Sequence, residues 1–268
     1  MRATTGPIPG TAHLPSDAEL EDLFLRKHGG HERMGPGPRR RFASRYFLPA
    51  DVYEATVEKH VFPGCSWLDV GGGHALFPDN EGLARALAAR AGRVVAVDPS
   101  PNVLRNPFAQ DRVNAFLEDY SSDAPFDLAT MRMVVEHVER PSAFVGSLSR
   151  LVRPGGLAIV FTVNLWAPVT LVSRLVPFGL HHAVKSLFWG GEEKDTFPAH
   201  YRMNTRMTLR RLFAEGGFAE AAFAKLGDLS VFGKFGFLNR VELALWRAAR
   251  LAGVQYPENC LLGLYAKR

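Results

Sequence analysis

The ten residues Ser66-Trp-Leu-Asp-Val-Gly-Gly-Gly-His-Ala75 constrain the fold more than any other part of the chain. Trp67, Leu68 and Val70 form an apolar run of the kind found in parallel strands buried on both faces. The glycines that follow let the backbone turn sharply and pass close to a ligand. Asp69 then stands at the carboxyl end of the strand, where open α/β sheets bind ligands. Spacing narrows the ligand. A dinucleotide fingerprint G-x-G-x-x-G needs glycine at 71, 73 and 76, and position 76 is Leu. The alternative spacing D-x-G-x-G-x-G finds Asp69, Gly71 and Gly73, with Ala75 in the last place. Glycine-rich turns also arise for purely structural reasons, so the neighbouring segments decide.

The next apolar run, Arg93-Val-Val-Ala-Val-Asp98, ends in a second acid 29 residues after the first, with the helical pattern Glu81–Arg90 between them. This is a βαβ unit, and an acid at the end of its second strand is placed to accept hydrogen bonds from both ribose hydroxyls of an adenosine cofactor. A turn or cap before Pro99 is the alternative for Asp98. Arg112–Asp119 reads as a third strand ending in Glu118 and Asp119, and Pro125–Met131 as a fourth that exits through Val135-Glu136-His137-Val138. Leu151-Val-Arg-Pro-Gly-Gly reads as a helix end and turn into a fifth strand. A capped helix from Thr205 ends at Gly216 and leads to a sixth strand at 218–226; a helix at 238–251 and a seventh strand at 260–267 follow.

This order resembles the S-adenosylmethionine (SAM)-binding half of the class I SAM-dependent methyltransferases, above all the broad group acting on small molecules. The resemblance implies a Rossmann-like, doubly wound, seven-stranded, mostly parallel α/β sheet, with an antiparallel last strand inserted between the fifth and sixth. It implies SAM as cofactor, with Asp69 in the cofactor site, Gly71 and Gly73 letting the methionine portion and ribose approach closely, Asp98 on the ribose hydroxyls and Asp119 at the adenine amine. Glu136, His137 and His200 are the candidates for removing a proton from an acceptor, and histidine has the unperturbed pKa best matched to neutral pH. A structural role for Glu136-His137 at a helix start stands beside that reading. The expected protein is a cytoplasmic methyltransferase acting on a small-molecule or lipid-like acceptor. Its rivals are a non-catalytic SAM-binding or assembly subunit and a NAD-type oxidoreductase, the latter disfavoured by Leu76.

At 268 residues and 47% hydrophobic content, the chain suits one substantial core with additions. Residues 1–45, rich in Gly and Pro, read as a flexible N-terminal arm with one short helical stretch at Ser16–Leu25, and the first fifteen as largely disordered. Residues 46–268 read as the catalytic domain, its first helix within 49–61. Arg39-Arg40-Arg41 with Phe42, Arg45, Tyr46 and Phe47 mixes basic and aromatic residues as some nucleic-acid-binding segments do; the reading preferred is a solvated face that packs Tyr46 and Phe47 on the domain. No nucleic-acid partner is expected, because Met131-Arg-Met-Val stands where an N/D-P-P-Y/F acceptor motif would lie.

The insertion at about 164–204 reads as a lid over the crevice, as a plain cover for the core, or, through 165–190, as a peripheral membrane contact. Pro168, Arg174 and Pro177 interrupt its apolar run, so no spanning helix is expected, and residues 1–30 lack the apolar core of a secretory leader. No metal site is expected: adjacent His181-His182 and Glu192-Glu193 do not set converging geometry, and Cys65 and Cys260 lack zinc-ligand spacing. Two cysteines suit a reducing compartment. The sequence assigns no oligomeric state.

Overall fold

The computed structural model describes residues 12–167, 197–230, 232–233, 235–254 and 256–268. Seven strands form one sheet: β1 (Ser66–Val70), β2 (Arg93–Asp98), β3 (Asp111–Asn114), β4 (Phe126–Arg132), β5 (Val152–Val163), β6 (Phe218–Leu226) and β7 (Cys260–Lys267). Their order is β3-β2-β1-β4-β5-β7-β6. β1 to β5 run parallel, and β7 lies antiparallel between β5 and β6, as expected for this fold.

The sheet is covered on both faces because β1, β2 and β4 are apolar on both. On one face Trp67, Leu128 and Phe161 pack against Tyr53 and Val57 of α4 (Pro49–His60) and Leu83 and Leu87 of α5 (Glu81–Arg90). On the other, Leu68, Val95 and Met131 meet Phe144 and Leu148 of α6 (Pro141–Leu151) and Leu209 and Phe213 of α7 (Arg206–Glu215). Asn80 caps α5 through Leu83 N–H, and Thr205 caps α7 through Thr208 N–H. The last helix, α8 (Gly236–Leu251), joins Tyr46 and Leu229 in a small separate cluster.

The N-terminal segment departs from the expected arm. It holds α1 (Asp17–Lys27), α2 (Gly30–Arg33) and α3 (Pro36–Ala43), and Leu23 and Phe24 of α1 are buried. Ser16 and Glu19 form the reciprocal capping box of α1. A buried ion cluster fastens these helices to the domain: Lys27 Nζ reaches Asp51 Oδ1 at 3.0 Å and Glu54 Oε1 at 2.9 Å, and Arg41 Nη1 reaches Asp51 Oδ2 at 3.3 Å. Asn80, the cap of α5, donates to Glu54 Oε2 at 2.8 Å. Gly and Pro content signalled looseness, but ordering comes from partners 24 and 27 residues away. Residues 1–11 lie outside the described residues, as do 168–196. The latter hold most of the insertion and membrane contact considered for 165–190, and the His181-His182 and Glu192-Glu193 pairs.

Two further expectations need correction. The third strand stops at Asn114, and Leu117–Asp119 forms a 3-10 turn. Asn114 Nδ2 donates to the carbonyls of Asp98 and Pro99, and among the described residues this edge strand has no partner on its outer side to extend the ladder. Arg153-Pro-Gly-Gly is not a turn before β5 but an irregular start within it: pairing to β4 jumps from Phe126–Val152 to Leu128–Leu157, with Gly155 at φ 76°.

Candidate functional site

The carboxyl ends of β1, β2 and β4 bring the glycine turn and two acids together. Gly71 donates to Val97 O at 2.8 Å, which folds the turn back onto β2. Its φ is 72°, and a Cβ there would lie 2.2 Å from Val134 Cγ2, so glycine is required twice over. A Cβ on Gly72 would meet Ala96 and the Asp69 carboxylate, both at 2.9 Å. At Gly73, φ is 38° and a Cβ would meet nothing within 4 Å, so this glycine faces open space.

Asp98 organises the turn. Its Oδ2 accepts from Gly73 N–H at 3.0 Å and its Oδ1 from Ser100 N–H at 2.7 Å, and the residue is 8% exposed. A carboxylate offers about four lone-pair sites. Two amides occupy half of them, which leaves capacity for two hydroxyl donors. Asn106 Nδ2 donates to Gly72 O at 2.9 Å and holds the far side of the turn.

Asp69 is buried beneath the turn. Thr130 Oγ1 donates to its Oδ1 at 2.6 Å, and Trp67 Nε1 donates to Thr130 Oγ1 at 2.7 Å. Burial pushes the Asp69 carboxyl up to about 7, with the charge of Asp98 adding to the rise and Thr130 and Arg132 opposing it. An acid held near neutrality gives up its proton readily when a cation arrives. Asp119 sits on the 3-10 turn after β3, exposed, with Glu118 beside it half-buried.

The second group lies at the exit of β4. Met133 takes a left-handed φ of 53° and donates its N–H to Phe161 O at 2.8 Å, and a 3-10 turn over Val135–His137 follows. Backbone strain of this kind clusters at functional sites. Thr162 Oγ1 donates to the buried Glu136 Oε2 at 2.8 Å, Asn204 Nδ2 donates to Thr162 Oγ1 at 2.8 Å, and burial raises the Glu136 pKa. The Glu136 carbonyl accepts from His200 N–H at 2.7 Å and Tyr201 N–H at 3.0 Å. His137 Nδ1 lies 3.1 Å from Pro198 O. A carbonyl only accepts, so Nδ1 carries a proton and donates it to this bond. His200 is exposed. All three proton-transfer candidates therefore meet along one backbone junction, with different freedoms.

Thr162, Asn204 and Thr130 were not singled out from sequence. The signal available for Thr130 was its place in the fourth strand, opposite Asp69 in the parallel register. Beyond Thr162, a groove of about 750 Å³ opens at the carboxyl ends of β5 and β6, lined among others by Leu165, Trp166, Met207, Lys225, Tyr256 and Leu261. No group of three or more His, Cys, Asp or Glu among the described residues could hold a metal ion, and Cys65 and Cys260 are both free and buried.

Residues 31–220 match the family model described as a methyltransferase domain. A ubiquinone biosynthesis O-methyltransferase of Xanthomonas campestris is 30% identical over 139 residues, 45% of this chain and 55% of that protein. An uncharacterized methyltransferase of Mycobacterium marinum is 32% identical over 151 residues, 54% of this chain and 53% of that one. The chain thus spans about half the length of the curated relatives it matches. A solved structure from Galdieria sulphuraria, provisionally described as a sarcosine dimethylglycine methyltransferase, superposes with a TM-score of 0.50 at 14% identity, covering 93% of this chain and 98% of that one. At that identity the likeness concerns the fold alone.

Proposed function

The chain belongs to the methyltransferase-domain family, and on that footing we propose that it is a class I SAM-dependent methyltransferase acting on a small-molecule or lipid-like acceptor. The observation that carries the reading is the bond from Gly73 N–H to Asp98: it positions a buried carboxylate with two spare acceptor sites beside an open glycine. A ribose with neighbouring hydroxyls fits that acceptor pair, and the near-neutral Asp69 fits a cationic methionine portion. Asp119 and Glu118 are within the turn that would face the adenine. The NAD alternative keeps the objection of Leu76, which is buried at 3% exposure in place of a third glycine. The relatives named as O-methyltransferases favour catalysis over a purely binding role.

Bound SAM supplies an electrophilic methyl carbon whose bond to sulfur breaks with the electron pair left on sulfur. The protein's part is to align an acceptor and take its proton. Glu136, tied down by Thr162, acts in this reading as a positioning group that fixes the His137–His200 junction. His137, with Nδ1–H donated to Pro198 O, presents Nε2 as the base. The groove at the carboxyl ends of β5 and β6 shares no lining residue with the proton-transfer candidates, and its Trp166, Met207 and Leu261 walls suit the apolar part of an acceptor that extends beyond them. The acceptor of the Xanthomonas relative, a ubiquinone precursor by that protein's name, is of this kind.

The test is incubation of the purified chain with methyl-labelled SAM and a metabolite extract. We expect S-adenosylhomocysteine in step with one labelled product of low mass; SAM binding without turnover on any extract would leave the binding-subunit reading instead.

The acidity of Asp69 gives a second expectation. With the carboxyl near 7, a cationic ligand releases a proton on binding below neutrality, so SAM affinity rises by roughly tenfold per pH unit up to about pH 7 and then levels. The sign for folding is opposite. The folded ligand-free protein holds this proton more tightly than the unfolded chain, so its contribution to stability is present at low pH and falls as pH rises from about 4 to about 7. Asp69→Asn should flatten both profiles, read by calorimetry in buffers of different ionisation enthalpy and by urea titration. A wild-type affinity independent of pH would reject the assignment.

A further inference from the structure

Helix α8 is amphipathic in the wrong direction for a core helix. Its inward side carries Asn239, 2% exposed, and Leu243, 2% exposed, with Glu242 and Trp246 half-buried beside them. Arg40 Nε donates to Asn239 Oδ1 at 3.1 Å, and the Trp246 ring meets Tyr46 edge-on at 5.1 Å. The Glu242 carboxyl, turned inward, is pushed up to about 7 by burial and by Asp228. The outward side is apolar: Phe237 is 75% exposed, Val241 42% and Leu245 60%, with Ala244 and Ala248 exposed in the same stripe. Positions 237, 241, 244, 245 and 248 recur at helical spacing, so they make one continuous face.

This face is concentrated as well as continuous. Of the thirteen large apolar side chains exposed among the described residues, eight fall between Phe232 and Val254. Arg240 and Arg247 are exposed along one flank. Glu242 is the one acid between Phe235 and Val254, and it points inward. A second copy docked face to face would set Arg240 and Arg247 near their own counterparts, with no exposed carboxylate on the helix to pair them. An anionic surface meets the same arginines with opposite charge and takes the apolar stripe into its outer layer.

We infer that the outer face of α8 docks the protein onto anionic phospholipid bilayers. Phe237, Val241 and Leu245 enter the boundary between headgroups and chains, and Arg240 and Arg247 meet the lipid phosphates. No helix among the described residues is long and apolar enough to cross a membrane, so the contact lies along the surface. The inference is independent of which acceptor is methylated.

The experiment is co-sedimentation of the full chain with phosphatidylcholine vesicles, with and without phosphatidylglycerol, alongside sedimentation equilibrium in buffer. Binding is expected to the anionic vesicles and to weaken with salt. Phe237→Asp with Leu245→Asp should lower the partition coefficient at least about tenfold. Arg240→Glu with Arg247→Glu, which leaves the apolar stripe whole, should abolish the preference for phosphatidylglycerol with a similar loss. Both pairs lie on the exposed side, and an unchanged circular dichroism melt checks that they fold. A chain that ignores anionic vesicles overturns the inference, whether it is a dimer that Phe237→Asp splits or a monomer. Vesicle binding that neither pair of substitutions alters overturns it too, since another surface would then be responsible.

Discussion

Asp98→Ala is expected to weaken SAM binding by about 100-fold in calorimetry. Hydrogen bonds to a charged group contribute roughly 1.5–3 kcal/mol each, and a loss of about 2.7 kcal/mol corresponds to a hundredfold in affinity. The substitution removes both spare acceptor sites and also releases Gly73 and Ser100, whose amides the carboxylate holds at 3.0 and 2.7 Å. Asp98→Asn separates these contributions. It keeps one oxygen for an amide but removes the charge, so an intermediate loss of about tenfold is expected. Affinity within threefold of wild type in Asp98→Ala would place the nucleoside elsewhere.

Gly71→Ala and Gly73→Ala should fail in different ways. At Gly71 the new methyl group would stand 2.2 Å from Val134 Cγ2 on a backbone at φ 72°. Overpacking costs about 1–3 kcal/mol and a left-handed alanine about 1–2, so a stability loss of roughly 2–5 kcal/mol is expected by urea denaturation. Adding Val134→Ala should recover the packing part and leave the backbone part. At Gly73 no atom waits within 4 Å and φ is 38°, so stability falls by only about 1 kcal/mol. The methyl group would instead occupy space facing the ligand, and SAM affinity should drop by more than stability does. Equal stability losses at both positions would contradict the geometry.

The fold was legible where local chemistry and tertiary partners agree. Trp67-Leu-Asp-Val before three glycines, and Val94-Val-Ala-Val-Asp98 before Pro99, are strands by apolar content and ends by their punctuation. Thr205 and Gly216 bracket α7 in the same way. The antiparallel placement of β7 came from the family resemblance, since nothing in Cys260–Lys267 taken alone names its neighbours.

Other features escaped because their causes are remote in sequence. The N-terminal helices are ordered by Lys27 meeting Asp51 and Glu54, which the Gly and Pro content of that stretch conceals. The third strand is shorter than its apolar content suggests, since Val113, Phe116 and Leu117 point to continuing burial, yet Phe116 is 57% exposed. For α8 the periodicity identified the helix but not its outward face. A pattern with Phe237, Val241 and Leu245 on one side looks like a core stripe until the small cluster around Tyr46 is seen to claim the opposite side. At the site, Glu136 was recognisable as a functional candidate, whereas its tether through Thr162 and Asn204 depends on residues 26 and 42 positions apart.

The strand order also has a consequence for synthesis. Among the described residues β6 bonds to no strand except β7, and β7 also covers the open edge of β5. The ribosome makes β7 after the other six strands, so β3 to β5 can assemble early while β6 has nowhere to pair. Until β7 arrives, the nascent chain leaves open the edge of β5 and the edge of β6 that β7 covers, in addition to the outer edge of β3, the condition under which sheets join those of their neighbours. The window most open to aggregation is therefore the interval between completion of Leu226 and emergence of Cys260–Lys267.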